Sequence, residues 1–102
     1  MLFRSKKLAY GGAVSLVVTV QKGSSEILGD PLISFQGVAG VENDFDLNRD
    51  AREAVLLSID SMSNVQLKDR KLFQENIRVA LKRFLQQEVG SKPVIVTTIV
   101  EV

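Results

Sequence analysis

The chain has no histidine and no cysteine. Without them there is no imidazole acid/base, no thiol nucleophile and none of the usual zinc constellations. Asp, Glu, Lys, Ser and the single Tyr10 remain, a set that points to a binding or assembly module before an enzyme. Charge of one sign is also lacking: the formal net charge is +1, so no overall field favours nucleic acid, membrane or acidic partners. No apolar run approaches the ~20 residues of a spanning helix, and Leu8-Ala9-Tyr10 is too short for the apolar core of a signal peptide. The absence of cysteine is compatible with the cytoplasm.

What is present suffices for one domain of 102 residues, 45% apolar and 25% charged. Residues 1–11 read as a basic, linker-like lead-in, and residues 12–102 as a single domain. From Ala13 the pattern has period two: Val14, Leu16, Val18 and Val20 share one face, and Ala13, Ser15, Val17 and Thr19 the other. Gln21 to Ser25 forms a turn cluster. Glu26-Ile27-Leu28 opens a second strand, Gly29-Asp30-Pro31 interrupts it, and Leu32 to Gln36 resumes it, giving an antiparallel hairpin. Asp46 or Asn48 is expected to cap a helix running to about Met62, with an inner stripe of Leu47, Ala51, Val55 and Ile59 widened by Leu56 and Leu57. Ser61 to Asn64 ends it.

The segment Asp69–Val89 has the spacing of a helix with one buried face, through Phe73, Ile77, Ala80, Leu81, Phe84 and Leu85. Gly90 suits a left-handed C-terminal cap, and Pro93 prevents continuation. Val94 to Val102 is a β-branched strand, apolar on both faces and therefore expected to be central in its sheet. The order ββααβ predicts an α+β two-layer sandwich, a three-stranded sheet with two helices on one face.

Several constellations fall short of chemistry. Asp44-Phe-Asp46-Leu-Asn48-Arg-Asp50 resembles the opening of a calcium loop, but position six is Arg49 where glycine is needed and position twelve is Val55. Acids near a helix N-terminus explain the cluster better. A KH module needs Gly-x-x-Gly between its helices, and Ser61 to Lys68 holds no glycine. The adjacent pairs Ser5, Lys6 and Ser91, Lys92 do not by adjacency make a site. Basic residues along the long helix, Arg70, Lys71, Arg78, Lys82 and Arg83, joined by Lys92, could track phosphates. Glu75 and Glu88 interrupt them, as on an ordinary solvated helix face.

The helix residues Ile77-Arg-Val-Ala-Leu-Lys-Arg-Phe-Leu85 lead into Gly90-Ser-Lys-Pro-Val-Ile-Val96 and Ile99-Val-Glu-Val102. With Lys6-Lys-Leu-Ala-Tyr-Gly-Gly-Ala-Val14, Gly29-Asp-Pro31 and Phe35-Gln-Gly37, this ordered set resembles the C-terminal domain of ribonuclease J from Lys6 onward. The resemblance implies a non-catalytic accessory domain. In that family it is joined to a metallo-β-lactamase/β-CASP body that cleaves RNA with zinc in the cytoplasm, and it is linked to oligomer assembly and full activity. The family's metal motif, His-x-His-x-Asp-His, has no counterpart in a chain without histidine, so no cofactor or catalytic residue carries over.

Two uses are therefore expected. One is self-association, or docking on a ribonuclease J-like catalytic body, through the apolar residues Leu56, Leu57, Ile95 and Ile99. The alternative is a small RNA-binding module contacting RNA through Arg78, Lys82, Arg83 and Lys92. No membrane partner is expected.

Overall fold

The computed structural model describes residues 12–24, 26–38, 44–90 and 93–102. The lead-in over 1–11, Ser91 and the candidate RNA contact Lys92 lie outside the described residues.

Strand β1 (Ala13–Val20) pairs antiparallel with β2 (Leu32–Gln36), Val14 opposite Phe35 and Leu16 opposite Ile33. An isolated bridge between Val20 and Ile27 continues the hairpin on the far side of the Gly29-Asp30-Pro31 interruption. At the other end of the hairpin Gly12 has φ +89°, and a Cβ there would lie 2.6 Å from Val38 Cγ2 and 2.8 Å from the Gly37 backbone. Only glycine fits that crossing.

Three helices follow among the described residues. Helix α1 (Phe45–Asp60) starts one residue after Asp44, whose carboxylate accepts from the Leu47 amide at 2.9 Å. The expected caps, Asp46 and Asn48, lie inside the helix. Asn48 ties α1 to β2 instead, its side-chain amide donating to the Ile33 carbonyl at 2.8 Å. Helix α2 (Asn64–Lys68) is not anticipated by the periodicity, because five residues span less than two turns. Its signal is the capping box at Ser63 and Gln66, in which each side chain bonds the other's backbone amide. Helix α3 (Arg70–Glu88) begins after the Asp69 cap and ends where the Gly90 amide, at φ +76°, donates to Leu85 O.

Strand β3 (Val94–Glu101) runs parallel to β1, Val14 opposite Ile95 and Val18 opposite Ile99. The sheet order is β2-β1-β3, so β1 is the central strand and β3 an edge. This corrects the expectation of a central β3. Apolar residues on both sides of that strand report two apolar faces, a property independent of its place within the sheet plane.

The core lies between the sheet and the helices. Val14, Leu16, Val18 and Val20 of β1 are fully buried, with Ile33 and Phe35 of β2 beside them. Ala51, Val55 and Ile59 of α1 cover them, as do Phe73, Ile77, Leu81 and Leu85 of α3. The period-two and period-3.6 patterns thus meet on one interface. The architecture is an α+β two-layer fold with two main helices on one side of a mixed three-stranded sheet.

Candidate functional site

Because side chains alternate along a strand, burying one face of the sheet presents the other outward. That second face carries Leu32 of β2, 65% exposed, and Val94, Val96 and Val100 of β3, at 64, 54 and 39%. Val102 continues the row just past β3, at 62%. Between them lie the half-buried Ala13, Ser15, Val17 and Thr19 of β1. Pairing sets Val17 between Leu32 and Thr98, and Ser15 between Ser34 and Val96. Among the described residues nothing covers this face. An apolar sheet face open to water is unusual unless it meets a partner.

The four residues expected at an interface divide differently. Ile95 and Ile99 point to the helix side and pack against the core. Leu56 is half-buried, and Leu57 is 68% exposed on the outer side of α1. The open sheet face lies elsewhere. Its signal in the sequence is the apolar character of Val94, Val96, Val100 and Val102 on the strand side opposite Ile95.

A second surface lies where α3 passes the outer edge of β3, which no other described strand pairs. Two adjoining pockets share Arg78 and Ile95, each with a volume of about 430 Å³. One continues to Lys82, Gln86, Pro93 and Val94, and the other to Lys71, Gln74, Glu75 and Thr97. Gln74 Nε2 donates to Thr97 O at 2.7 Å, and Thr97 Oγ1 is buried without a hydrogen-bond partner. Arg78 Nη2 meets Glu75 Oε2 at 2.6 Å and Nε meets Oε1 at 3.0 Å. This forked hydrogen bond, aided by the charges of Arg78 and Lys82, holds the Glu75 carboxyl below the usual carboxylate range. The same bond raises the Arg78 guanidinium above its ordinary value.

Of the expected RNA contacts, Arg78 and Lys82 therefore share one groove, with Arg78 already engaged by a carboxylate. Arg83, five positions past Arg78, projects about 140° round the helix from it. Arg70 is a structural residue. Its guanidinium bonds Leu67 O at 2.7 Å, Ser24 O at 3.0 Å and Glu101 Oε2 at 3.0 Å, closing the hairpin turn, α2 and the end of β3 together. The acidic cluster is likewise spent on local structure: Asp44 caps α1, and Arg49 lies 3.4 Å from both Asp46 and Asp50.

Among the described residues no group of three or more Asp or Glu side chains could hold a metal ion. Nor is any described helix long and apolar enough to cross a membrane. The fold and its surfaces define a small α+β domain that lacks catalytic motifs and presents an apolar sheet face and a basic groove. The chain belongs to the ribonuclease J C-terminal domain family, whose sequence profile it matches over residues 4–102. This family accompanies enzymes of the metallo-β-lactamase/β-CASP class. The chain is also similar to Ribonuclease J of Sinorhizobium meliloti (strain Sm2011 / Rm2011 / 2011), 30% identical over 98 residues. That similarity takes in 95% of this chain and 17% of the length of the relative.

Proposed function

We propose that this domain is an accessory domain of a ribonuclease J-like RNA-degrading enzyme in the cytoplasm, supporting oligomer assembly and full nuclease activity. The zinc-dependent chemistry belongs in this reading to a separate catalytic body, and this chain contributes burial of apolar surface, either between copies or against that body. The observation that carries the reading is the open sheet face of Leu32, Val94, Val96 and Val100. Two such faces stack about 10 Å apart when sheets pack, and each valine removed from water adds roughly 1.5 kcal/mol or more of drive. Leu57 offers a smaller apolar point on α1, while Leu56, Ile95 and Ile99 are partly used by the monomer's own packing.

Sedimentation velocity over a concentration series tests this. The wild-type chain should associate, and Leu32→Asp should return it to monomer with its circular dichroism unchanged. Weakening by Leu57→Asp alone would move the interface to α1. A strict monomer at high concentration would rule out self-association and leave docking on a catalytic body. The RNA-binding reading draws on Arg78 and Lys82 lining one groove. It requires salt-dependent RNA binding that Arg78→Gln and Lys82→Gln abolish together.

A further inference from the structure

The free edge of β3 and the flank of α3 together have the form of a peptide slot. In the parallel ladder the amides of Val94 and Val102 donate to Gly12 O and Val20 O. Backbone groups alternate sides along a strand, so the even-numbered residues of β3 face β1 and Ile95, Thr97 and Ile99 turn theirs to the free edge. The Gln74 bond to Thr97 O agrees with that direction. Both outer strands of this sheet have a carbonyl held by a helix side-chain amide, Ile33 by Asn48 and Thr97 by Gln74. The two caps differ in setting: the Asn48 bond is partly buried, whereas the Gln74 bond is exposed and open to exchange.

Charge decides what the slot takes. Lys71, Arg78 and Lys82 follow one another at i, i+7 and i+11, a spacing that sets them in one row along α3. All three line the paired pockets, opposed only by Glu75. Among the described residues neither Lys71 nor Lys82 has a carboxylate within ion-pair distance. Ile95 supplies the apolar floor, and the Thr97 hydroxyl beside it is buried without a hydrogen-bond partner. From Pro93 to Thr97 the pockets follow an edge of about 16 Å, the length of roughly five extended residues.

We propose that the groove between α3 and β3 binds an extended acidic segment of a partner protein, which adds to β3 as a fourth strand. Its backbone pairs with Ile95, Thr97 and Ile99 and displaces the Gln74 amide from Thr97 O. Alternate side chains settle on Ile95, and its carboxylates meet Lys71 and Lys82 on either side of the Glu75-paired Arg78. Main-chain pairing gives affinity in this mode, and the side-chain row gives selectivity. A second copy of β3 fits the row poorly, because its one acid, Glu101, is already bonded to Arg70.

The test titrates the isotope-labelled 102-residue chain with a pool of eight-residue peptides alternating Glu with Val, Ile or Thr, followed by amide NMR. A matched pool carries Lys in place of Glu. Shifts at Ile95, Thr97 and Ile99, seen with the acidic pool only, are expected. Binding should weaken roughly tenfold in the Lys71→Glu, Lys82→Glu double variant, given the size of exposed ion pairs. It should be lost in Thr97→Pro, which removes an outward amide that no described strand uses. Leu32→Asp, on the far face, should bind the peptides as wild type does, whatever it does to self-association. The proposal is overturned by equal binding of the two pools, or by no binding at millimolar peptide. It is overturned as well by displacement of the peptides by a uridine decamer, which would mark the row as a phosphate surface.

Discussion

Arg70 shows how much of this fold rests on single side chains. Its guanidinium joins the hairpin turn, α2 and the end of β3, through two backbone carbonyls and Glu101. Hydrogen bonds from a charged donor to backbone carbonyls are worth more than an exposed ion pair. Arg70→Gln should therefore lower unfolding stability by about 2 kcal/mol, while Glu101→Gln should cost under about 1 kcal/mol, both read from urea denaturation. Gly12 acts through space rather than charge. With φ +89° and Val38 Cγ2 2.6 Å from where a Cβ would sit, Gly12→Ala should destabilise by more than about 1 kcal/mol. A loss below a few tenths would show that the hairpin end relaxes freely. Glu75 gives a pH signature. Its carboxyl titrates below the ordinary range because Arg78 bonds the ionised form. Any stability from the pair is thus full above the ordinary carboxylate pKa of about 4.3 and is lost as pH falls through the lower folded value. Carboxyl NMR should record that depressed midpoint, and Arg78→Gln should return it to the ordinary range.

At the scale of elements, the strength of a periodic signal decides what can be read from sequence. β1 and α3 are legible because eight alternating residues and about five turns of apolar stripe leave no second interpretation. α2 is not, since it is shorter than two turns and has no buried residue. Its capping box is written in Ser63 and Gln66 nonetheless. Ser63→Ala should cost about 1 kcal/mol and speed hydrogen exchange across Asn64–Lys68 while leaving α3 protected. The start of α1 is ambiguous in sequence because Asp44, Asp46, Asn48 and Asp50 crowd its N-terminus. The choice among them is made by β2, whose Ile33 carbonyl takes Asn48 and leaves Asp44 as the cap. The edge position of β3 depends on which strand the chain returns to, a long-range choice that local hydropathy does not encode. The groove is a product of the same choice. Its basic row is visible along α3, but its other wall exists only because β3 lies outermost.

For the whole molecule, the unequal treatment of the two sheet faces is the main functional observation. One face is sealed by α1 and α3, while the other keeps Leu32, Val94, Val96 and Val100 in contact with water. The open face belongs to a chain of the ribonuclease J C-terminal domain family. The central claim is that this open face is the surface the domain buries in an assembly. It is tested most directly by methyl NMR with a soluble paramagnetic agent over a range of protein concentrations. The account predicts that the methyl groups of Leu32, Val94, Val96 and Val100 are bleached in dilute solution and become protected as concentration rises, while Leu57 stays exposed. Methyl groups on the sheet that remain bleached at every concentration, with protection appearing at Leu57 instead, would contradict it.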